Sequence, residues 1–350
     1  MPSPYHIATH AESQVSSAAL TALCNAAFAE YPGAIIAGES WMDWFRRRPG
    51  CAPELCGAAW YGRELVSSLF VTEAPLRLGG RVLRAGIVDT VMTAPAHQKH
   101  GLARELLTRA IGLMRERGFA CSLLYTNPRR YPYGFYQSLG YRHHATAELL
   151  AGPRPVEPPS GECWRLLLPD ETEGARRLVN ASWGEADGFV AYGEDLWEWH
   201  RLHRPEGEEL FEIAQGPHGA PTGGAAFTEA GLLAAGREQW FSCVLDIVPW
   251  RCRARSPSRA HPEGRATESP PYSGGTTAEG LAALLCAAPR PRVALVAGCG
   301  TWLHGGATEL GLRSVAEEAA MLLPLNSAAE AALQSPPSNW YASVESIVGA

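Results

Sequence analysis

At 350 residues the chain is longer than a single hydrophobic core usually serves, so two domains are expected. An apolar share of 46% fits a globular protein, and a net charge of -6 leaves no basic footprint for nucleic acid. The nine cysteines contain no Cys-x-x-Cys pair, which points to reduced thiols in a cytoplasmic protein and away from a disulfide framework or a metal site.

The first residues show no basic, apolar leader, and no apolar run nears the roughly 20 residues of a membrane span, so no membrane partner is expected. Apolar residues at helical spacing predict a helix over 11–29, stopped by Tyr31-Pro32-Gly33. Ser40 is placed to cap a second helix, Trp41 to Arg48. Its Trp41, Trp44 and Phe45 suit core packing or the wall of a ligand site. Leu55–Trp60 and Leu65–Val71 flank a turn and read as a hairpin; a Gly79-Gly80 turn then precedes an apolar strand, Ile87–Thr93.

Pro95 stops that strand, and Gln98-Lys99-His100-Gly101-Leu102-Ala103 opens the clearest helix in the chain. Ala103, Leu106, Leu107, Ala110, Ile111 and Met114 form its apolar stripe, and Gly118 ends it. The first turn of a helix carries unpaired N–H groups and a partial positive charge, so it stabilises an anion. Gly101 and Ala103 let a pyrophosphate approach the backbone, and Lys99 and His100 add donors. A second apolar run, Ala120–Thr126, leads to Phe135-Tyr136-Gln137-Ser138-Leu139-Gly140-Tyr141. Between them Pro128 and Pro132 predict a loop over Asn127 to Gly134.

Gln98-x-x-Gly101-x-Ala103 resembles the Q/R-x-x-G-x-G/A acyl-CoA loop of the GNAT acetyltransferase superfamily. Phe135-Tyr136-x-x-Leu139-Gly140-Tyr141 resembles its aromatic turn, at the expected distance downstream, and the similarity spans roughly residues 5 to 150. The resemblance implies that Val91, Met92 and Thr93 pair with the pantetheine arm of acetyl-CoA through their main chain. It also implies that residues 98 to 103 hold the pyrophosphate, with Asn127 nearby, and that Tyr136 is the general acid for the departing thiolate. A backbone N–H near Met92 would stabilise the carbonyl oxygen. The Asn127–Gly134 segment departs from the family's short helix at this point.

An acceptor amine must lose a proton, which asks for a base. Asp89 and Glu39 rank ahead of His97, His143 and His144, because a carboxylate also orients a cationic amine; Glu39 and Trp41 are the candidate substrate contacts.

After the proline-rich stretch 153–162 the pattern returns. It has a strand at Trp164–Leu168, a helix to Trp183, and a tryptophan helix at 196–203. Further strands fall at 210–214, 223–227, 240–248 and 293–297, a helix at 278–287, and a closing strand at 319–325. The fold class expected is therefore α/β (α+β), as two tandem GNAT-like mixed-sheet units, 1–152 and 163–326, with the second degenerate. Residues 251–275, rich in Arg, Ser and Pro, replace its cofactor loop, and 327–350 form a tail. The multi-unit enhanced intracellular survival acetyltransferases are distantly similar; the resemblance would make the Ala350 carboxylate a candidate base. The function expected is acetyl transfer from acetyl-CoA, without a metal, to an amine of a small molecule. A non-catalytic acyl-CoA sensor, another acyl group and a hydroxyl acceptor stay open, and the oligomeric state is not read.

Overall fold

The computed structural model describes residues 3–31, 34, 37–156, 163–166, 168–202, 210–215, 221–234, 237–248, 277–334, 337 and 339–343. Strand β1 (Tyr5–Thr9) comes before the first predicted helix, which is two helices, α1 (His10–Ser13) and α2 (Ser17–Ala27). Gln14 adopts a left-handed φ of 44° between them. Thr9 and Glu12 form a capping box on α1, and Ser16 accepts from the Ala19 N–H to cap α2, so both starts are satisfied locally. Helix α3 (Glu39–Arg46) starts from Gly38 rather than Ser40.

Strands β2 (Gly57–Tyr61), β3 (Glu64–Leu78) and β4 (Arg81–Thr93) form an antiparallel meander. The short strands read from the sequence merge into one long hairpin, turned at Gly79 and Gly80, which both take positive φ. Then come α4 (Leu102–Glu116), β5 (Cys121–Thr126), α5 (Tyr131–Gln137) and β6 (Arg142–Pro153). Helix α5 corrects the loop expected across Asn127–Gly134. Pro132 falls in its first turn, where the missing N–H has no intrahelical partner to lose, so only the stretch before Tyr131 stays irregular.

The second half repeats this order with β7 (Cys163–Leu166), α6 (Thr172–Trp183), α7 (Glu194–Trp197), β8 (Leu210–Gln215), β9 (Pro221–Ala234) and β10 (Arg237–Val248). It continues with α8 (Thr277–Leu285), β11 (Arg292–Gly298), α9 (Trp302–Glu309) and β12 (Arg313–Pro324), and α10 (Ser327–Ala332) follows. The insertion 251–275, most of the linker (157–162) and Ala350 lie outside the described residues.

The twelve strands of the described residues make one mixed sheet in the order β1-β2-β3-β4-β5-β12-β6-β11-β10-β9-β8-β7. Each half gives its last strand to the other. Strand β12 pairs with β5, with Ala319 opposite Thr126, and β6 pairs with β11, with Leu149 opposite Val296. The two exchanged strands lie antiparallel at the centre, where Glu318 faces Ala147. Packing follows the exchange: Ala319, Met321 and Leu323 of β12 bury among Leu106, Leu107 and Met114 of α4. Trp340, beyond α10, is buried as well, and its indole N–H donates to the Tyr125 hydroxyl of β5 at 3.0 Å.

Candidate active site

Strands β4 and β5 run parallel only from Ala85–Ile87 against Cys121–Leu123, and past that point no register joins them. The cause is visible in β4. Asp89 pairs with Phe70 and Met92 with Ser68, so Thr90 and Val91 together oppose Leu69 alone, and Thr90 takes a φ of 49°. Such a bulge bends its strand, and a β-branched residue at positive φ is strained, so the neighbouring packing must hold it there. The bulge also resets the faces: Val91 packs towards α4, Met92 towards the tryptophan layer of α3. A wedge opens between the strands, walled on one side by the unpaired edge of β4.

One end of the wedge is the start of α4. After a 3-10 turn, Pro95–His97, the chain takes left-handed conformations at Lys99 (φ 65°) and at the cap Gly101 (φ 82°). Among the described residues, the amides of Lys99, His100, Gly101, Leu102 and Ala103 make no backbone hydrogen bond. A side chain at Gly101 would meet nothing within 4 Å, so the glycine serves the backbone angle and open access, not packing. Leu102 is buried and anchors the loop to the core, while Gln98, Lys99 and His100 stay exposed and Gln98 reaches the Thr93 carbonyl at 3.4 Å. A run of free amides at the head of a 15-residue helix is a cradle for an anion, and these residues fit the pyrophosphate of acyl-CoA. The Met92 peptide is fixed by the Ser67 hydroxyl, which donates to its carbonyl at 2.7 Å.

The other end holds Tyr136 on α5, buried beside Phe135 and Tyr141, with its pKa raised by burial and by Tyr141 and Glu318. Its hydroxyl bonds to no described residue. Past the end of β5 the Asn127 N–H donates to the Tyr31 hydroxyl at 2.9 Å, and Tyr31 donates in turn to Glu318 Oε1 at 2.8 Å. Arg130 lies over the Tyr31 ring and bonds the Glu30 carbonyl, so the loop after α2 closes on this corner. Glu318 is 2% exposed, and burial pushes its carboxyl up to about 8 despite the hydrogen bond from Tyr31 and the Arg130 charge.

Glu318 and Tyr31 were missed in the sequence. The only signal was a Glu-Glu pair entering an apolar run, and that run belonged on its face to the second half. The other candidates are placed as follows. Asp89 is buried and ion-paired with Arg48, and takes the Thr90 hydroxyl at 3.1 Å; burial raises its pKa while Arg48 opposes. Glu39 is exposed on the first turn of α3. Trp41 is buried and stacked on Phe45 at 4.8 Å, with its indole N–H unpartnered. His97 bonds the Tyr5 hydroxyl, His143 lies between Tyr133 and Thr146, and His144 packs on Trp340.

Residues 11–144 match the profile of a family described as "Acetyltransferase (GNAT) domain". No curated protein matches the chain. Among solved structures, the chain is similar in fold to Saccharomyces cerevisiae N-myristoyltransferase with bound myristoyl-CoA. That match has a TM-score of 0.65 and 10% identity, and covers 93% of this chain and 80% of that one. A GCN5-related N-acetyltransferase from Kribbella flavida matches with TM-score 0.54 and 17% identity over 93% of this chain and 72% of its own. One from Anabaena variabilis gives 0.58 and 14% over 92% and 73%. No helix among the described residues is long and apolar enough to cross a membrane. Residues 11–144, which hold the helix-start cradle and the split β4–β5 pair, thus match a GNAT acetyltransferase domain, and the fold of the chain is like that of GCN5-related N-acetyltransferases.

Proposed function

We propose that the protein is an acetyl-CoA-dependent N-acetyltransferase for a small-molecule amine, working in the first half, with the second half as a scaffold that lends β12 to the site. The observation that carries this reading is the wedge itself. Its helix-end amides hold the pyrophosphate, the exposed edge of β4 meets the pantetheine arm, and Tyr136 and Glu318 stand at the far end. A backbone N–H of β4 beside Met92 stabilises the thioester oxygen as charge develops on it.

The Tyr136 phenol keeps its proton through the neutral range, and full transfer to a thiolate is uphill, because a thiol's pKa is near ~8.5. It acts first as a hydrogen-bond donor to the leaving sulfur and gives up its proton as negative charge accumulates there. Glu318 takes the proton of the attacking amine. A base whose pKa sits near the working pH is the most effective, and Glu318 at about 8 is near it.

The test is amine-dependent thiol release from acetyl-CoA across a panel of small amines. Tyr136→Phe is expected to lower kcat on the order of 10²-fold with acetyl-CoA affinity unchanged. Tight CoA binding with no amine-dependent release across the panel would instead identify a sensor.

A further inference from the structure

The second half has its own end-of-strand corner, and its chemistry differs. Where Asn127 directly follows β5 in the first half, Cys299 directly follows β11 in the second. Counting back from the matching glycines, Gly140 and Gly311, the place of Tyr136 falls to Ala307. The acyl-transfer groups are therefore not repeated, and a different set of side chains converges. Sγ of Cys299, an imidazole nitrogen of His304 and a carboxylate oxygen of Glu148 all lie within 4.8 Å of one another.

We propose that Glu148, Cys299 and His304 bind one divalent, zinc-like cation. The three donors sit on separate elements that the backbone fixes. Glu148 is on the exchanged strand β6, registered against Ala297. Cys299 is held by its N–H to the Thr146 carbonyl at 2.8 Å. His304 stands in the first turn of α9, its N–H capped by Thr301 at 3.3 Å, and its Nε2 meets Glu148 Oε2 at 3.0 Å. Bonds of roughly 2.0–2.3 Å in a tetrahedral site place donors about 3.3–3.8 Å apart. The His304–Glu148 contact must therefore open by a few tenths of an ångström, and the exposed Cys299 side chain closes the remainder by rotation. A thiolate, a carboxylate and a neutral imidazole balance a charge of +2, and the soft thiolate with the borderline imidazole selects zinc over magnesium or calcium. Three protein ligands leave a fourth position for water or a ligand. The site exists only because β6 has crossed into the second half, since Glu148 belongs to the first half by sequence.

The experiment uses the full chain stripped with a chelator and titrated with Co²⁺, whose thiolate charge-transfer band reports a cysteine ligand. One equivalent of Co²⁺ is expected to develop that band, and Zn²⁺ to displace it. Cys299→Ser is expected to lose the band, and His304→Ala to weaken Co²⁺ by at least about tenfold. Cys286→Ser should leave both unchanged. A thermal shift with Zn²⁺, present in the wild type and absent in Cys299→Ser, separates lost binding from misfolding. No band at one equivalent, or a band that survives Cys299→Ser, would overturn the site. Neither readout depends on acyl transfer.

Discussion

Trp44 and Trp199 stack with ring centroids 4.1 Å apart and 3° between their planes, and each indole N–H donates to the other residue's carbonyl at 2.9 Å. The contact is reciprocal, as a two-fold relation between the repeated halves requires. It joins α3 to the π-helical turn, Glu198–Leu202, that continues α7. Trp44→Ala removes a buried ring and leaves the Trp199 carbonyl without its indole donor, so a loss of about 3–5 kcal/mol is expected. Because the exchanged strands tie the halves together, urea unfolding of the variant should remain one transition, shifted to lower midpoint. Two separated transitions would show that the halves fold alone.

Glu318 links pH to both activity and stability. Its unfolded pKa is near 4.5 and its folded value about 8, so the folded state holds the extra proton between those values. Stability therefore falls as pH rises through that window, and the loss persists above it. Glu318→Gln is expected to raise the Tm by roughly 1–4 °C at pH 8.5, with little change at pH 4. In the same variant the rise of kcat/KM with an apparent pKa near 8 should vanish. A pH–rate profile unchanged by Glu318→Gln would remove it from the reaction.

Gly101 separates backbone strain from charge. Gly101→Ala keeps open space around its side chain and suffers only the positive φ, a loss of about 1 kcal/mol with a modest change in KM for acetyl-CoA. Gly101→Glu adds a negative charge at the free amides, and KM should rise on the order of tenfold or more. Isothermal titration of CoA into both variants checks this. Equal affinity for CoA would mean the pyrophosphate lies elsewhere.

Asp89 is committed to Arg48, so its removal tests structure before chemistry. Arg48→Ala leaves a buried carboxylate uncompensated and is expected to cost about 3–5 kcal/mol by chemical denaturation. Arg48→Met with Asp89→Leu should recover most of that stability, since an ion pair replaced by apolar groups of similar volume is often neutral. If the double variant also keeps acetyl transfer, Asp89 holds the bulge of β4 and is not the base.

The helix-start loop proposed for CoA was legible as a loop because its signal is local. Gln98, Gly101 and Ala103 act through the backbone of one helix start, and the amphipathic stripe behind them fixes where that helix begins. Tyr136 was legible for a similar reason, by its spacing to Gly140, although the helix carrying it was hidden by prolines that a first turn accommodates. The long β3–β4 hairpin was read as fragments. Its residues are buried on both faces for much of their length, which erases the alternation that marks a strand.

What the sequence determined by itself was a mixed α/β chain with a repeated order of elements and one glycine-bearing loop at a helix start. What only the tertiary structure decided was which strand completes which half. Strands β6 and β12 are both apolar enough to pair with either β5 or β11, and hydrogen bonding between strands reads no sequence identity. The exchange carries Glu318 some 190 residues along the chain to the corner beside Tyr31 and Asn127, and carries Glu148 to Cys299 and His304. Burial at that corner, absent from any local pattern, pushes the carboxyl of an ordinary glutamate up to about 8.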